Sequence, residues 1–277
     1  MKLTSVCFVI AFSAFLILCS CSSGDNQAQP GTPAFSWNAA KETFAAGDYN
    51  KTVDHLEKLV TTENDYTARA QPWLLVLTSG MARGYADLAD AFEAGSRASK
   101  RDPASFRRSM NNYRGAASRT GLRFAELFDQ FQKSKGDQTP LAFSYPTGSA
   151  SPPAQLAKIS SGIPVTGPEM DATEKQALQR EVLLSACRAA GAEGDSAKAQ
   201  GLFRAGNVQE PRAVFVMALA KSLYEQSQLY NHNKMDDPEK QKIFSGRALA
   251  ALKSIPETQA SKELSGKITG VGKRARI

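Results

Sequence analysis

The sequence predicts an all-α protein, and three observations carry that prediction. Apolar side chains recur at three- and four-residue spacing over long stretches, the period of one buried helix face. Alternating runs rich in Val, Ile and Thr, which mark half-buried strands, are nearly absent. Four cysteines are present, but Cys7, Cys19 and Cys21 cluster near the N-terminus and leave Cys187 alone. No internal disulfide framework is therefore available. Stability must come from apolar burial, for which 42% hydrophobic residues suffice. A chain of 277 residues is long enough for one or two domains at roughly 150 residues each.

The N-terminal segment comes first. Lys2 precedes an apolar stretch, Val6 to Leu18, that is too short to span a bilayer, which takes roughly 20 apolar residues. Leu18-Cys19-Ser20-Cys21 closes it, and Ser-Ser-Gly-Asp-Asn-Gln follows. A large aliphatic three places before the cysteine and a small residue immediately before it resemble a bacterial lipoprotein signal. Cys19 fits less well, because Leu18 precedes it. The resemblance implies that residues 1–20 are a signal peptide that is removed. It also implies that Cys21 carries acyl chains such as palmitate, and that the protein is anchored to a bacterial envelope membrane facing the periplasm. Ser22 follows the cysteine; in enterobacteria an Asp there resembles an inner-membrane retention signal, so its absence points to the outer membrane.

Residues 21–34, with Gly24, Pro30, Gly31 and Pro33 and few apolar side chains, read as a flexible tether. An N-terminal helical half is expected over 35–133. Its first helix carries Trp37, Ala40 and Phe44 on one face. Ala46-Gly47-Asp48-Tyr49 ends it and starts a second, in which Val53, Leu56 and either Leu59 or Val60 face one way; Gly supplies the turn and Asp the cap. Two such helices around a Gly-Asp-Tyr turn, over residues 35–61, resemble a tetratricopeptide repeat, with Thr52 standing where that family usually has Ala. The resemblance implies an α-solenoid of stacked antiparallel helix pairs, with a concave binding face and a non-catalytic role.

Two longer helices follow. Pro72 suits a first helical turn, and Leu74, Leu77, Met81, Tyr85, Leu88 and Phe92 form one stripe, weakened at Gly95 and Ser96. Asp102-Pro103 reads as a cap and first turn. The next stripe, Phe106, Met110, Tyr113, Ala117, Thr120, Phe124, Leu127 and Phe131, steps by four and three and predicts a helix of roughly 40 Å packed antiparallel to its predecessor. Residues 134–169 concentrate prolines and glycines, which forbid one long helix. They also hold Leu141, Phe143, Tyr145, Leu156, Ile159, Ile163 and Val165, too apolar for a free linker. This segment is expected to be an ordered, irregular crossover along the helices. A C-terminal helical half over 170–270 echoes the first: Gly194-Asp195 parallels Gly47-Asp48, and Asp237-Pro238 parallels Asp102-Pro103. Residues 271–277 read as a basic tail.

Functional chemistry is sparse. Neither His55 nor His232 has a second ligand at metal spacing, so no metal and no cofactor is expected; His55 is placed on a solvent-facing helix surface. Cys187 lies in an apolar helix and reads as a buried, inert thiol. No nucleophile elbow, phosphate-binding loop or dinucleotide fingerprint occurs. Glu57, Asp87 and Asp90 look like helix surface, and no acid–base pair stands out. The chain is therefore read as a non-catalytic binding protein. The net charge of +7, lowered by one when Lys2 leaves, is too small to argue for nucleic acid. Arginine is dense between Arg69 and Arg123. Arg83, Arg97, Arg107, Arg108 and Arg114 are the candidate partner-binding residues, suited to an acidic protein surface or to phosphate headgroups. The competing reading is a solute-binding or accessory lipoprotein of a periplasmic transport system, which requires a closed apolar cavity between long helices.

Overall fold

The computed structural model describes residues 28–204 and 208–274. The segment read as a signal peptide, Cys21 and the first half of the segment read as a tether lie outside the described residues. The chain is mostly helical, as expected. In order the elements are α1 (Pro33–Ala45), α2 (Tyr49–Thr61), α3 (Thr67–Ala98), α4 (Pro103–Lys133), β1 (Gln138–Leu141), α5 (Ala154–Ser160), α6 (Gly167–Ala189), α7 (Ser196–Arg204), β2 (Val208–Pro211), α8 (Arg212–Ser227), a 3-10 turn (Gln228–Tyr230), α9 (Pro238–Lys253) and α10 (Gln259–Arg274).

Short polar side chains set the helix starts. Thr32, Asp48, Asp102 and Asp237 each accept a hydrogen bond from the backbone N–H three residues on, satisfying a donor that the first turn leaves open. Asp195 does the same for Lys198, 2.9 Å away. Between α1 and α2, Gly47 takes φ 69°, a left-handed conformation that closes the hairpin where a Cβ would be strained. Thr52 is buried there. Its hydroxyl donates to the Asp48 carbonyl at 2.9 Å and lies 3.1 Å from the Thr43 hydroxyl, so it ties the two helices where an alanine would only pack.

α3 is the hub. Twenty of its 32 residues are buried, whereas α4 buries nine of 31 along one face; a helix apolar on all sides belongs inside. α4 runs antiparallel along it, with Phe92 against Phe106 at 5.7 Å and Tyr85 against Tyr113 at 6.3 Å. Most of the expected 106–131 stripe is buried. On another side of α3 lies α6. A Cβ on Gly80 would fall 2.6 Å from the Val182 Cα, and one on Gly84 would fall 3.1 Å from the Leu178 Cα. Two glycines one turn apart thus let the helix backbones touch, and the Ser79 and Ser185 hydroxyls share a buried hydrogen bond at 2.7 Å.

Several expectations need correction. Pro72 does not open its helix: α3 starts at Thr67. Thr67 and Asn64 both donate to the Leu59 carbonyl, at 2.8 and 2.9 Å. This knot starts the helix one turn earlier, and Pro72, still near its beginning, leaves only the Ala68 carbonyl without its usual donor. α3 ends at Ala98, just past Gly95 and Ser96, and the Ile159 backbone packs on Gly95. α6 begins at Gly167, three residues before the expected start of the C-terminal half at 170. Thr166 and Glu169 form a capping box, a Thr-x-x-Glu signal present in the sequence. α10 continues to Arg274, into the segment read as a basic tail.

The 134–169 segment is ordered and is less irregular than expected. It contains α5 and β1, and β1 pairs antiparallel with β2, Leu141 opposite Val208 and Gln138 opposite Pro211. The sequence did not predict this ladder, because its partners are about 70 residues apart and each is only four residues long. Beyond β1, Phe143 enters the core. It stacks on Trp73 at 5.2 Å and lies 4.9 Å from Phe44 and 5.0 Å from Trp37. Ser144 faces out, as the alternation implied, and Tyr145 meets Phe203 of α7 at 5.4 Å. The helix order of the two halves agrees at the Gly-Asp and Asp-Pro caps. The lengths do not: α3 and α4 have 32 and 31 residues, and α8 and α9 have 16 each.

Candidate functional site

Two surface features stand out, a charged cleft and a groove. The cleft lies where α3, α6 and α8 meet and encloses about 360 Å³. Arg83 and Asp87, one turn apart on α3, face Arg180, Glu181, Leu184 and Arg188 of α6, and Lys221 and Glu225 of α8 close the side. Asp87 is held by two arginines, Arg83 at 3.0 Å and Arg180 at 3.2 Å. Arg180 also contacts Glu181. Arg188 is bound through Nη1 to both oxygens of Glu225 at 2.8 Å. Lys221 reaches Glu193 at 3.2 Å. Nearby, Lys234 binds both oxygens of Asp90.

Burial sets the electrostatics. The Glu181 side chain is 6% exposed. Desolvation pushes its carboxyl up to about 7, with the negative charge of Asp87 adding to the effect and Arg180 and Arg83 opposing it. Asp87 is raised in the same way, by burial first, against the pull of both arginines. The lining holds acids and bases but no hydroxyl, thiol or imidazole. Arg83–Asp87 and Arg180–Glu181 pair within one helix, while Arg180–Asp87 and Arg188–Glu225 pair between helices, so the cleft joins α3 of the first half to α6 and α8 of the second.

A pH dependence follows. Glu181 in the folded chain binds its proton more tightly than an ordinary glutamate near 4.5. The folded state therefore holds more protons between those two values, and the stability this brings is complete below the unfolded value. It is lost as pH rises through about 7. Glu181→Gln should flatten the fall in stability between pH 5 and 8 by about 2 kcal/mol. Urea unfolding of both proteins across that range reads it; parallel pH profiles would contradict the assignment.

The groove lies on another side of α3. Asn50, Val53 and Asp54 of α2 face Arg119, Thr120 and Arg123 of α4 across a floor of Thr78 and Met81, enclosing about 240 Å³. It continues past Asn50 into a second depression of about 310 Å³, where Asp48 and Tyr49 face Asp171, Glu174, Lys175 and Leu178 of α6. The Tyr113 hydroxyl donates to Glu174 at 2.9 Å, and burial together with that carboxylate pushes its pKa upward. The groove is open and mixed in charge. Next to the charged cleft, sharing Arg188 and Glu193, Val214, Met217, Ile255 and Pro256 line an apolar trough of about 260 Å³.

The five candidate arginines do not form one surface. Arg83 belongs to the charged cleft. Arg97, at the end of α3, and Arg114, largely buried on α4, both bind Glu93, at 3.1 and 3.0 Å. Arg83 and Arg97 are about 21 Å apart along α3. Arg107 and Arg108 are exposed on α4. Glu57, Asp87 and Asp90 are not idle helix surface. Glu57 binds Arg123 at 2.6 Å, and the other two carboxylates hold cations from α6 and the loop before α9. His55 is half-buried rather than solvent-facing. His232 is exposed, 3.5 Å from Asp236. Cys187 is buried and its thiol is pushed up by desolvation, which agrees with an inert role.

Among the described residues, no group of three His, Cys, Asp or Glu side chains is arranged to hold a metal ion, and no helix is long and apolar enough to cross a membrane. Compared with known proteins, the chain matches no family model, no curated sequence and no solved structure. No local pattern marks the Asp87–Glu181 juxtaposition, since the two lie on different helices. The local clue was Arg180-Glu181, two charges directly before the mostly apolar run from Val182 to Cys187.

Proposed function

We propose that the protein is a lipid-anchored scaffold of a bacterial envelope. Cys21 is held in the membrane, the chain faces the periplasm at the outer membrane, and a tetratricopeptide-like helical body binds a protein partner without catalysis. The observation that carries this reading is Leu18-Cys19-Ser20-Cys21 at the end of a short apolar segment, joined by a polar tether to a mostly helical body. The α1–α2 hairpin, with 13 residues in each helix and Gly47 at its turn, supports the repeat likeness. The groove between α2 and α4 supports a protein partner, because it is open and carries both signs of charge. The competing transport-accessory reading draws support only from the apolar trough beside Val214 and Met217.

Two or more acyl chains anchor a protein stably where one does not. Cys21→Ser should therefore move the protein from the membrane to the soluble fraction with an unchanged circular dichroism spectrum; retention of the variant in the membrane would overturn the anchor. Crosslinking in the native cells followed by capture of the tagged chain tests the scaffold role. A single partner linked to peptides of α2 or α4 is expected, and links scattered over the surface, or none, would contradict it.

A further inference from the structure

The far end of α3 presents a feature apart from the groove on which the scaffold reading rests. There the α3–α4 turn and the α5–α6 loop form one tip, with the Gly162 backbone against Ala98 and Ser99. Lys100, Arg101, Arg107 and Arg108 are exposed on it, and none of the four binds a carboxylate among the described residues. The acids nearby are already engaged. Asp102 accepts from the Ser105 N–H at 3.0 Å, Glu93 holds Arg97 and Arg114, and Glu169 caps α6 and faces Lys158. Beside these cations stands Ile163, 53% exposed, on a backbone fixed by its N–H donating to the Lys158 carbonyl at 3.0 Å.

We propose that this tip is a docking surface for an anionic phospholipid membrane. Unpaired cations and an exposed aliphatic side chain at one tip match what a bilayer surface takes: headgroup phosphates for the charges and the acyl boundary for the side chain. A protein partner fits less well. Stable protein interfaces need about 800 Å² from each side with matched shape, and none of the depressions described above includes a residue of the tip turns. The contact is separate from the lipid anchor. The tether enters at α1, where Trp37 lies 5.6 Å from Tyr66 at the start of α3, and α3 then runs about 48 Å to the tip.

The test places the full, processed chain on vesicles carrying a trace of photoactivatable phospholipid and maps the labelled peptides by mass spectrometry. With 30% phosphatidylglycerol, labelling should concentrate on the peptides containing Lys100–Arg108 and Ile163. It should fall at least fivefold in pure phosphatidylcholine and again in 1 M salt, where the Debye length is about 3 Å. Replacing Lys100, Arg101, Arg107 and Arg108 together with Gln should lower tip labelling more than tenfold, since each cation near an anionic surface is worth about fivefold. Ile163→Ser should lower it several-fold with the charges intact. All five side chains are exposed, and an unchanged thermal melt confirms the fold. Equal tip labelling in the two lipids, or no change in the quadruple variant, would overturn the proposal. If the chain is not acylated, flotation with phosphatidylcholine vesicles fails while phosphatidylglycerol-dependent tip labelling persists, so the two readings fail separately.

Discussion

Phe143→Ala will destabilise the chain by about 3–5 kcal/mol, the range for removing a large aromatic from a packed core. The side chain is 5% exposed and touches three aromatic rings that belong to α1 and α3. Helices on both sides of the crossover meet around this group, because Trp73 also lies 6.0 Å from Phe203 of α7. The loss should therefore be felt by the whole molecule rather than by a local segment. A stability of 5–15 kcal/mol is usual for a folded domain, so the variant would lose a large share of it. Urea unfolding read by fluorescence and by circular dichroism checks both points. One shifted midpoint common to both probes is expected. A loss below about 1 kcal/mol would place Phe143 outside the core, and two separated transitions would show that the halves fold apart.

Gly80→Leu should also be strongly destabilising, for the opposite reason. Its Cβ would lie 2.6 Å from the Val182 Cα and 2.8 Å from the Glu181 carbonyl oxygen. These are backbone atoms of α6, which cannot swing aside as a side-chain tip does. The substitution gains up to about 1 kcal/mol of helix propensity. Against that stands the separation of α3 from α6, which opens packing around Val182 and Ala186 and parts the Ser79–Ser185 hydrogen bond. Overpacking usually costs about 1–3 kcal/mol, and backbone displacement along a helix pair places this site at or above the upper end. A thermal melt checks it: a large drop in midpoint is expected, and an unchanged or raised midpoint would mean that α3 and α6 do not touch at Gly80.

Local signals made much of the helical layout readable. The stripe from Phe106 to Phe131 marks α4 because one face of a long amphipathic helix repeats visibly in sequence. Asp48, Asp102, Asp195 and Asp237 mark helix starts because a cap acts three residues away. What escaped is nonlocal. β1 finds β2 some 70 residues later, and four-residue strands leave no pattern of their own. Asp87 looked like surface on α3 until α6 brought Glu181 and Arg180 to it. Gly80 and Gly84 carried no sign of the backbone that presses on them. Arg97 and Arg114, far apart in sequence, proved to share Glu93. The groove between α2 and α4 likewise depends on how the first hairpin leans on α3, which the periodicity of α2 alone does not contain.

In the proposed arrangement a folded helical body is joined to a membrane by an acylated Cys21. Mass spectrometry of the N-terminal peptide of the protein purified from its own membranes tests it most directly. The expected peptide begins at Cys21 and carries the mass of two or more acyl chains. An unmodified N-terminus at another residue, or a chain that retains residues 1–20, would contradict the account.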